Sequence, residues 1–215
     1  MTVVEGPRSA GLIARVQAIL LRPTAEWDVI AAEPATIPGL FTGYACILAA
    51  IGPIVSILWG LLLASMPFMH MLGGLVHLTA AAIVFRAVMS YFESLITVFA
   101  IGYVVDALAP SFDARKDPVQ AMKLTVYACT GGWVGGLFML IPLLGWIAAI
   151  GLAFYSLYLF WLGLPKLMGV PEEKKAGYAI VTFLAAIVVG VAIGLVFMAV
   201  RGMFFMGSMM GGGLI

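Results

Sequence analysis

The sequence predicts an all-α fold: a polytopic integral membrane bundle of five transmembrane helices, with its N-terminus cytoplasmic and its C-terminus on the opposite side. Composition carries the first part of that expectation. Of 215 residues, 64% are apolar and 10% are charged, against the roughly 25% charged residues of soluble domains. So few charged side chains cannot clothe a water-facing surface. Apolar runs that each reach the ~20 residues needed to cross a hydrocarbon core give the helix count, and the placement of Lys and Arg gives the orientation. Net charge is +1 and the basic residues are scattered among short loops, which argues against a nucleic-acid surface.

Residues 1–37 form a cytoplasmic amphipathic segment. They hold three of the eleven basic residues and four of the ten acidic ones, with no apolar run long enough for a signal peptide. Leu12, Ile13, Val16, Ile19 and Leu20 share one helical face, and Arg8, Arg15 and Arg22 recur every seven residues along its edge. The pattern predicts a helix lying in the headgroup plane with its arginines reaching phosphates. Pro23 ends it. Thr24 is the N-cap of a second short helix that Pro34 stops, and Trp27 is expected at the membrane interface.

The membrane domain spans 38–201. The first span is 39–64, with a kink at Pro53. The second lies within 72–108, where about 37 residues make ~55 Å of helix, far more than a ~30 Å core requires. Residues 79–97 contain no Gly, Pro, Asn or Asp, so one long tilted helix is expected rather than two. The third span is 119–141, the fourth, after a turn at Pro142 and Gly145, is 146–167, and the fifth is 178–200. Residues 202–215 form a Gly/Met-rich tail read as flexible and interfacial.

Five spans with the N-terminus inside collect Arg8, Arg15, Arg22, Arg115, Lys116, Lys123, Lys166, Lys174 and Lys175 on the cytoplasmic side, nine of the eleven basic residues. Arg201 alone falls outside, and Arg86 lies within a span. Six spans would place two of the three basic clusters outside, against the positive-inside tendency.

Several stretches resemble the Yip family, membrane domains named for binding Ypt/Rab GTPases. Residues 22–27 (RPTAEW) followed by 39–44 (GLFTGY) look like the entry to the domain in its bacterial branch. A stronger likeness lies in Tyr155, Tyr158, Gly163 and Pro165, continuing through 170–174 (VPEEK) to Gly177 and Tyr178. The resemblance covers nearly the whole chain and implies a polytopic domain with a cytosolic N-terminus. Eukaryotic members are associated with vesicle traffic through Rab proteins. For the bacterial branch the likeness implies a fold and a location, the inner membrane, and no reaction.

Arg86, Ser90 and Glu93 form an intramembrane polar stripe, extended by Thr79 and Thr97, that must face the bundle interior. Seven residues put Arg86 and Glu93 ~10 Å apart along the axis, so Ser90, water or the tyrosines Tyr127, Tyr155 and Tyr158 are expected to complete their hydrogen bonds. Two readings stand: a charge pair that fixes helix register, or a polar pathway for an ion, proton or lipid headgroup. Gly131, Gly132, Gly135 and Gly136 in the third span, and Gly190 and Gly194 in the fifth, make small-xxx-small patterns expected to serve helix packing, with a hinge or oligomer contact as the alternative. Asp106, Asp113 and Asp117 with Arg115 and Lys116 read as a solvated loop, His70 and His77 are too few for a zinc site, and Cys46 and Cys129 read as buried hydrophobes.

No nucleophile motif, phosphate loop or catalytic carboxylate pair appears. The expectation is a non-enzymatic membrane protein, without cofactor or metal, that acts by binding membrane-protein partners, lipids or a second copy of itself. The alternative is a small transporter or lipid- or ion-handling channel that uses the Arg86–Glu93 stripe.

Overall fold

With almost no polar side chains to compete for the backbone, each apolar run satisfies its own N–H and C=O groups as a helix. A computed structural model describes the backbone of residues 11–66, 79–141 and 144–210, with side chains described for all of these except 144 and 205–210; every regular element among them is helical. Arg8, His70, His77 and Pro142 lie outside the described residues.

Two short helices, α1 (Leu12–Leu21) and α2 (Pro23–Ala32), form a hairpin at the N-terminal side. The first long helix, α3 (Ile37–Ala64), starts at a Thr36 cap whose hydroxyl accepts from the Gly39 N–H at 3.2 Å, and carries a π turn at Phe41–Ala45. Its helical ladder is interrupted at Ala50, three residues before Pro53, which lacks a donor and crowds the preceding turn. Helix α4 (Ala80–Phe112) is unbroken through Arg86, as the lack of turn residues predicts, and ends in 3₁₀ geometry with Asp113 in the left-handed region (φ 53°).

The third predicted span is two consecutive helices, α5 (Pro118–Ala128) and α6 (Thr130–Phe138). Asp117 caps α5 by accepting from the N–H groups of Val119 and Gln120, both at 3.1 Å. The break at Cys129 falls between two threonines that bond back to their own helix, Thr125 to the Ala121 carbonyl and Thr130 to that of Tyr127, an arrangement that bends helices. Helix α7 (Leu144–Met168) and helix α8 (Glu172–Met210) complete the bundle. Helix α8 therefore begins before 178 and runs past 200: residues 202–210, expected as a flexible tail, continue the helix, and Phe204 stacks on Phe85 with centroids 3.9 Å apart.

Helices α4 and α8 run antiparallel, joined by the Tyr178 hydroxyl donating to the Val105 carbonyl at 2.5 Å near one end and by the Phe85–Phe204 stack near the other. Helix α7 runs back along α5 and α6, and here the glycines matter. A Cβ on Gly131 would lie 2.6 Å from the Leu152 carbonyl oxygen, and one on Gly135 3.4 Å from the Ala149 Cα. The Gly132 N–H donates to the Ser156 hydroxyl at 2.9 Å. Gly136 faces Gly52 of α3. Gly190 packs on nothing within 4 Å, so the predicted packing role does not extend to it, and Gly194 instead makes room for the Glu93 carboxylate.

Basic residues from α1, the α4–α5 loop, α5, α7 and the first turn of α8 gather at one end of the bundle, as ion pairs between Lys166 and Asp28 and between Lys174 and Asp113 show. By the positive-inside tendency this end is cytoplasmic. The dense core lies here: Ile19, Trp27, Leu164, Leu167, Met168 and Tyr178 are fully buried. Farther along, large apolar side chains face outward, Ile147 at 70% and Val188 at 68% exposure. A soluble protein cannot leave so much apolar surface in water, and lipid covers it.

Gly163 tests how tightly the hairpin docks on α7, because a Cβ there would lie 2.7 Å from both the Trp27 ring and Leu124. Gly163→Ala is expected to lower stability by about 1–3 kcal/mol and to speed tryptic cleavage after Arg15, which the docked hairpin buries. Gly151, with nothing within 4 Å, is the contrast: Gly151→Ala should leave stability unchanged or raise it by up to about 1 kcal/mol. Thermal unfolding in detergent with a timed digest decides both.

Candidate functional site

The hairpin has two problems that water does not solve for it: carboxylates held against the bundle, and the free carbonyls at the end of α2. Both are met by residues far away in sequence. Arg15 is 4% exposed and donates from Nη1 to the Glu26 carboxylate and from Nη2 to both oxygens of Glu33, at 2.5 and 2.6 Å. Its guanidinium also lies 5.9 Å from the centroid of the Tyr127 ring. Burial disfavours its charged form, but Glu33 and Glu26 outweigh that and hold its pKa above the ordinary arginine value. From α5, Lys123 donates to the Ile30 carbonyl at 2.8 Å and the Glu33 carbonyl at 2.5 Å, and Gln120 donates to that of Ala31 at 3.3 Å. A lysine on one helix thus caps the C-terminus of another, where the helix dipole favours a cation.

Beside this cluster opens a cleft of ≈ 580 Å³ bordered by Arg15, Glu33, Tyr44, Lys123 and Tyr127. Tyr44 on its wall shares a hydrogen bond with the Thr130 hydroxyl at 2.8 Å.

These positions correct the membrane-surface expectation. The apolar face of α1 packs on the bundle: Ile19 is fully buried, and Leu12, Val16 and Leu20 pack against the core. Arg15, one turn from Ile19 on the same face, goes inward with it rather than reaching phosphates. Trp27, expected at the interface, is fully buried and meets the edge of Tyr127 at a centroid distance of 6.4 Å. Arg22 is exposed because the chain leaves helical geometry there (φ −139°). Ile13 and Leu21 remain on the outer face, 73% and 78% exposed.

The motif residues of α7 and α8 are what receives the hairpin and closes this end. The Tyr155 hydroxyl donates to the Leu20 carbonyl at 2.8 Å, and Tyr158 lies beside Tyr155. Gly163 admits the Trp27 ring. Pro165 sits inside α7, directly before Lys166, which pairs with Asp28 at 2.5 Å and bonds to the Thr24 carbonyl. Gly177 lets Phe112 approach, and the Tyr178 ring stacks on Phe112 at 5.0 Å. Asp106, expected in solvent, is buried near this contact.

The polar stripe is also rearranged. Glu93 pairs with Arg201 of α8, a residue expected outside the membrane domain's interior. Arg86 does not reach Glu93. Ser90 bonds its hydroxyl to the Ala87 carbonyl of its own helix at 2.8 Å. Tyr127 and Tyr155 sit in the hairpin cluster and Tyr158 beside them, so these tyrosines do not complete the stripe. Val105 marks the cytoplasmic side; Glu93 is twelve residues away and Arg86 nineteen, ~18 and ~28 Å along the axis. Arg86 therefore stands near the far boundary of a ~30 Å core rather than at its middle.

This assembly of lipid-length helices defines a multi-pass α-helical membrane protein. The chain matches the Yip1 domain over residues 18–194 and belongs to that family. It is similar to the inner membrane protein YohC of Escherichia coli, in strain K12 and in an O6:H1 strain, each 26% identical over 179 residues that make up 82% of this chain and 90% of the relative. No solved structure matches it significantly.

Removing Arg15 leaves two carboxylates without their cation. Arg15→Met is expected to destabilise the protein by about 3–5 kcal/mol, and the triple change Arg15→Met, Glu26→Gln, Glu33→Gln to recover much of that, as read by thermal unfolding in detergent. Because the folded pKa of Arg15 lies above its unfolded value, its contribution is fully present below the unfolded value and is lost only as pH rises through the folded one. The Arg15→Met deficit attributable to the guanidinium should therefore not change with its protonation from about pH 6 to about pH 9.

Proposed function

We propose that this protein is a non-enzymatic component of the inner membrane that works by contact: the docked α1–α2 hairpin is a platform on the cytoplasmic face that binds membrane-protein partners and lipid. The observation that carries the reading is the hairpin's two-sided construction. Its inner face is fixed by the Arg15, Lys123 and Lys166 clamps, while Ile13 and Leu21, eight residues apart on α1, stay exposed next to Arg22. Ion pairs that rigidify a short hairpin and leave apolar residues uncovered at the headgroup level favour an adhesive surface. The lack of a nucleophile motif or catalytic carboxylate pair in the sequence supports a role without chemistry. The family supports the location, through the inner-membrane relatives.

Purification of the full chain in a mild detergent, with mass spectrometry of co-eluting lipids and proteins, tests this. Ile13→Glu with Leu21→Glu alters only exposed positions, so yield and monodispersity should match the wild type while co-eluting lipid or partner falls severalfold. Unchanged co-elution would remove the platform from the function.

A further inference from the structure

A second concavity lies at the opposite end of the bundle and is independent of the platform. It encloses ≈ 690 Å³ among α3, α4, α6, α7 and α8, and its walls include Trp59, Arg86, Ser90, Trp146 and Arg201. The size suits a small polar headgroup. Its depth is set by the helix register: Arg86 is ~28 Å from Val105, and two tryptophans lie at the level where such rings anchor at a membrane interface. The Trp59 indole N–H is already used, donating to the Met139 carbonyl at 2.6 Å, which holds the wall in place.

Charge in this cavity does not balance. Arg86 and Arg201 line it with no carboxylate among its described lining residues, and Glu93, paired with Arg201, is the only acidic side chain in the sequence between 37 and 105, from 118 to 171, or beyond 173. Arg201 gives its Nη2 to Glu93 but keeps a buried Nε without an acceptor among the described residues. Arg86 makes no ion pair or hydrogen bond with any described residue, although it stands at the edge of a low-dielectric region where an uncompensated cation is costly. An anion with several acceptor oxygens answers both arginines at once, since guanidinium forks match phosphate geometry.

The geometry points to a binding site for the phosphodiester headgroup of an anionic membrane lipid, in the leaflet opposite the hairpin, held by Arg86 and Arg201 with Glu93 orienting Arg201. One negative charge neutralises the excess. The lipid's acyl chains lie along the apolar helix surfaces that already face the bilayer, so only the headgroup enters.

Native mass spectrometry of the full chain in detergent with added phosphatidylglycerol tests the site. Arg86→Gln strands no partner and should fold like the wild type, and is expected to reduce bound phosphatidylglycerol about tenfold, the loss of one charge-assisted contact. Arg86→Lys should keep part of the binding. Ser90→Leu, which narrows the cavity and removes only a bond within its own helix, should reduce binding in the same direction and stands in if Arg86→Gln is poorly folded. The Ile13→Glu, Leu21→Glu protein should retain this lipid, which separates failure of this site from failure of the platform. Equal retention in wild type, Arg86→Gln and Ser90→Leu would overturn the proposal. Arg86-dependent binding of inorganic phosphate with no phosphatidylglycerol retained would overturn the lipid as the source of the anion.

Discussion

The cytoplasmic half of the molecule depends on one buried cation. Arg15 is shared by Glu26 and Glu33, which lie at the two ends of α2, so a single side chain sets both the angle of the hairpin and its distance from the bundle. Lys123 then reads the backbone rather than the side chains, taking the carbonyls that α2 would otherwise leave unpaired against an apolar wall. Such groups could not be left bare at a membrane boundary. Carboxylates, carbonyls and cations are thus matched locally, and Ile19, Trp27 and Ile30 are free to fill the core beneath them.

The family-motif residues gain a common meaning from this arrangement. Tyr155, Gly163 and Lys166 lie along one strip of α7 and meet α1, Trp27 and Asp28 in turn. They are a receptor for the hairpin. Gly177 and Tyr178 do the corresponding work at the α4 terminus, where Phe112 is clasped. Glycines appear in both places because an aromatic ring must come within contact distance of a helix backbone.

At the other end the organisation is looser. Glu93 is satisfied from a neighbouring helix, and Gly194 opens the space its carboxylate needs. Pairing between helices rather than within one is what remains when seven residues of rise separate Arg86 from Glu93. The consequence is a cation left facing a cavity, and the two ends of the bundle therefore differ in kind: one closed by internal ion pairs, the other holding a charge without an internal partner among the described residues.

The membrane class, the positions of the long helices, the unbroken α4 and the end that gathers the basic residues were all legible in the sequence. Each depends on composition or on runs of residues close in the chain, and lipid-facing helices keep those local properties visible. The inward placement of Arg15 and Trp27, the break at Cys129 and the continuation of α8 were not legible. A moment on α1 says that one face is apolar and cannot say whether lipid or protein covers it. Nor does a charged residue announce its partner: Arg15 and Glu33 are 18 residues apart, Glu93 and Arg201 are 108 apart, and no periodicity links them. Those pairs, and the arginine left over, were decided by which helix faces meet, because a buried charge is satisfied by geometry in three dimensions and not by spacing along the chain.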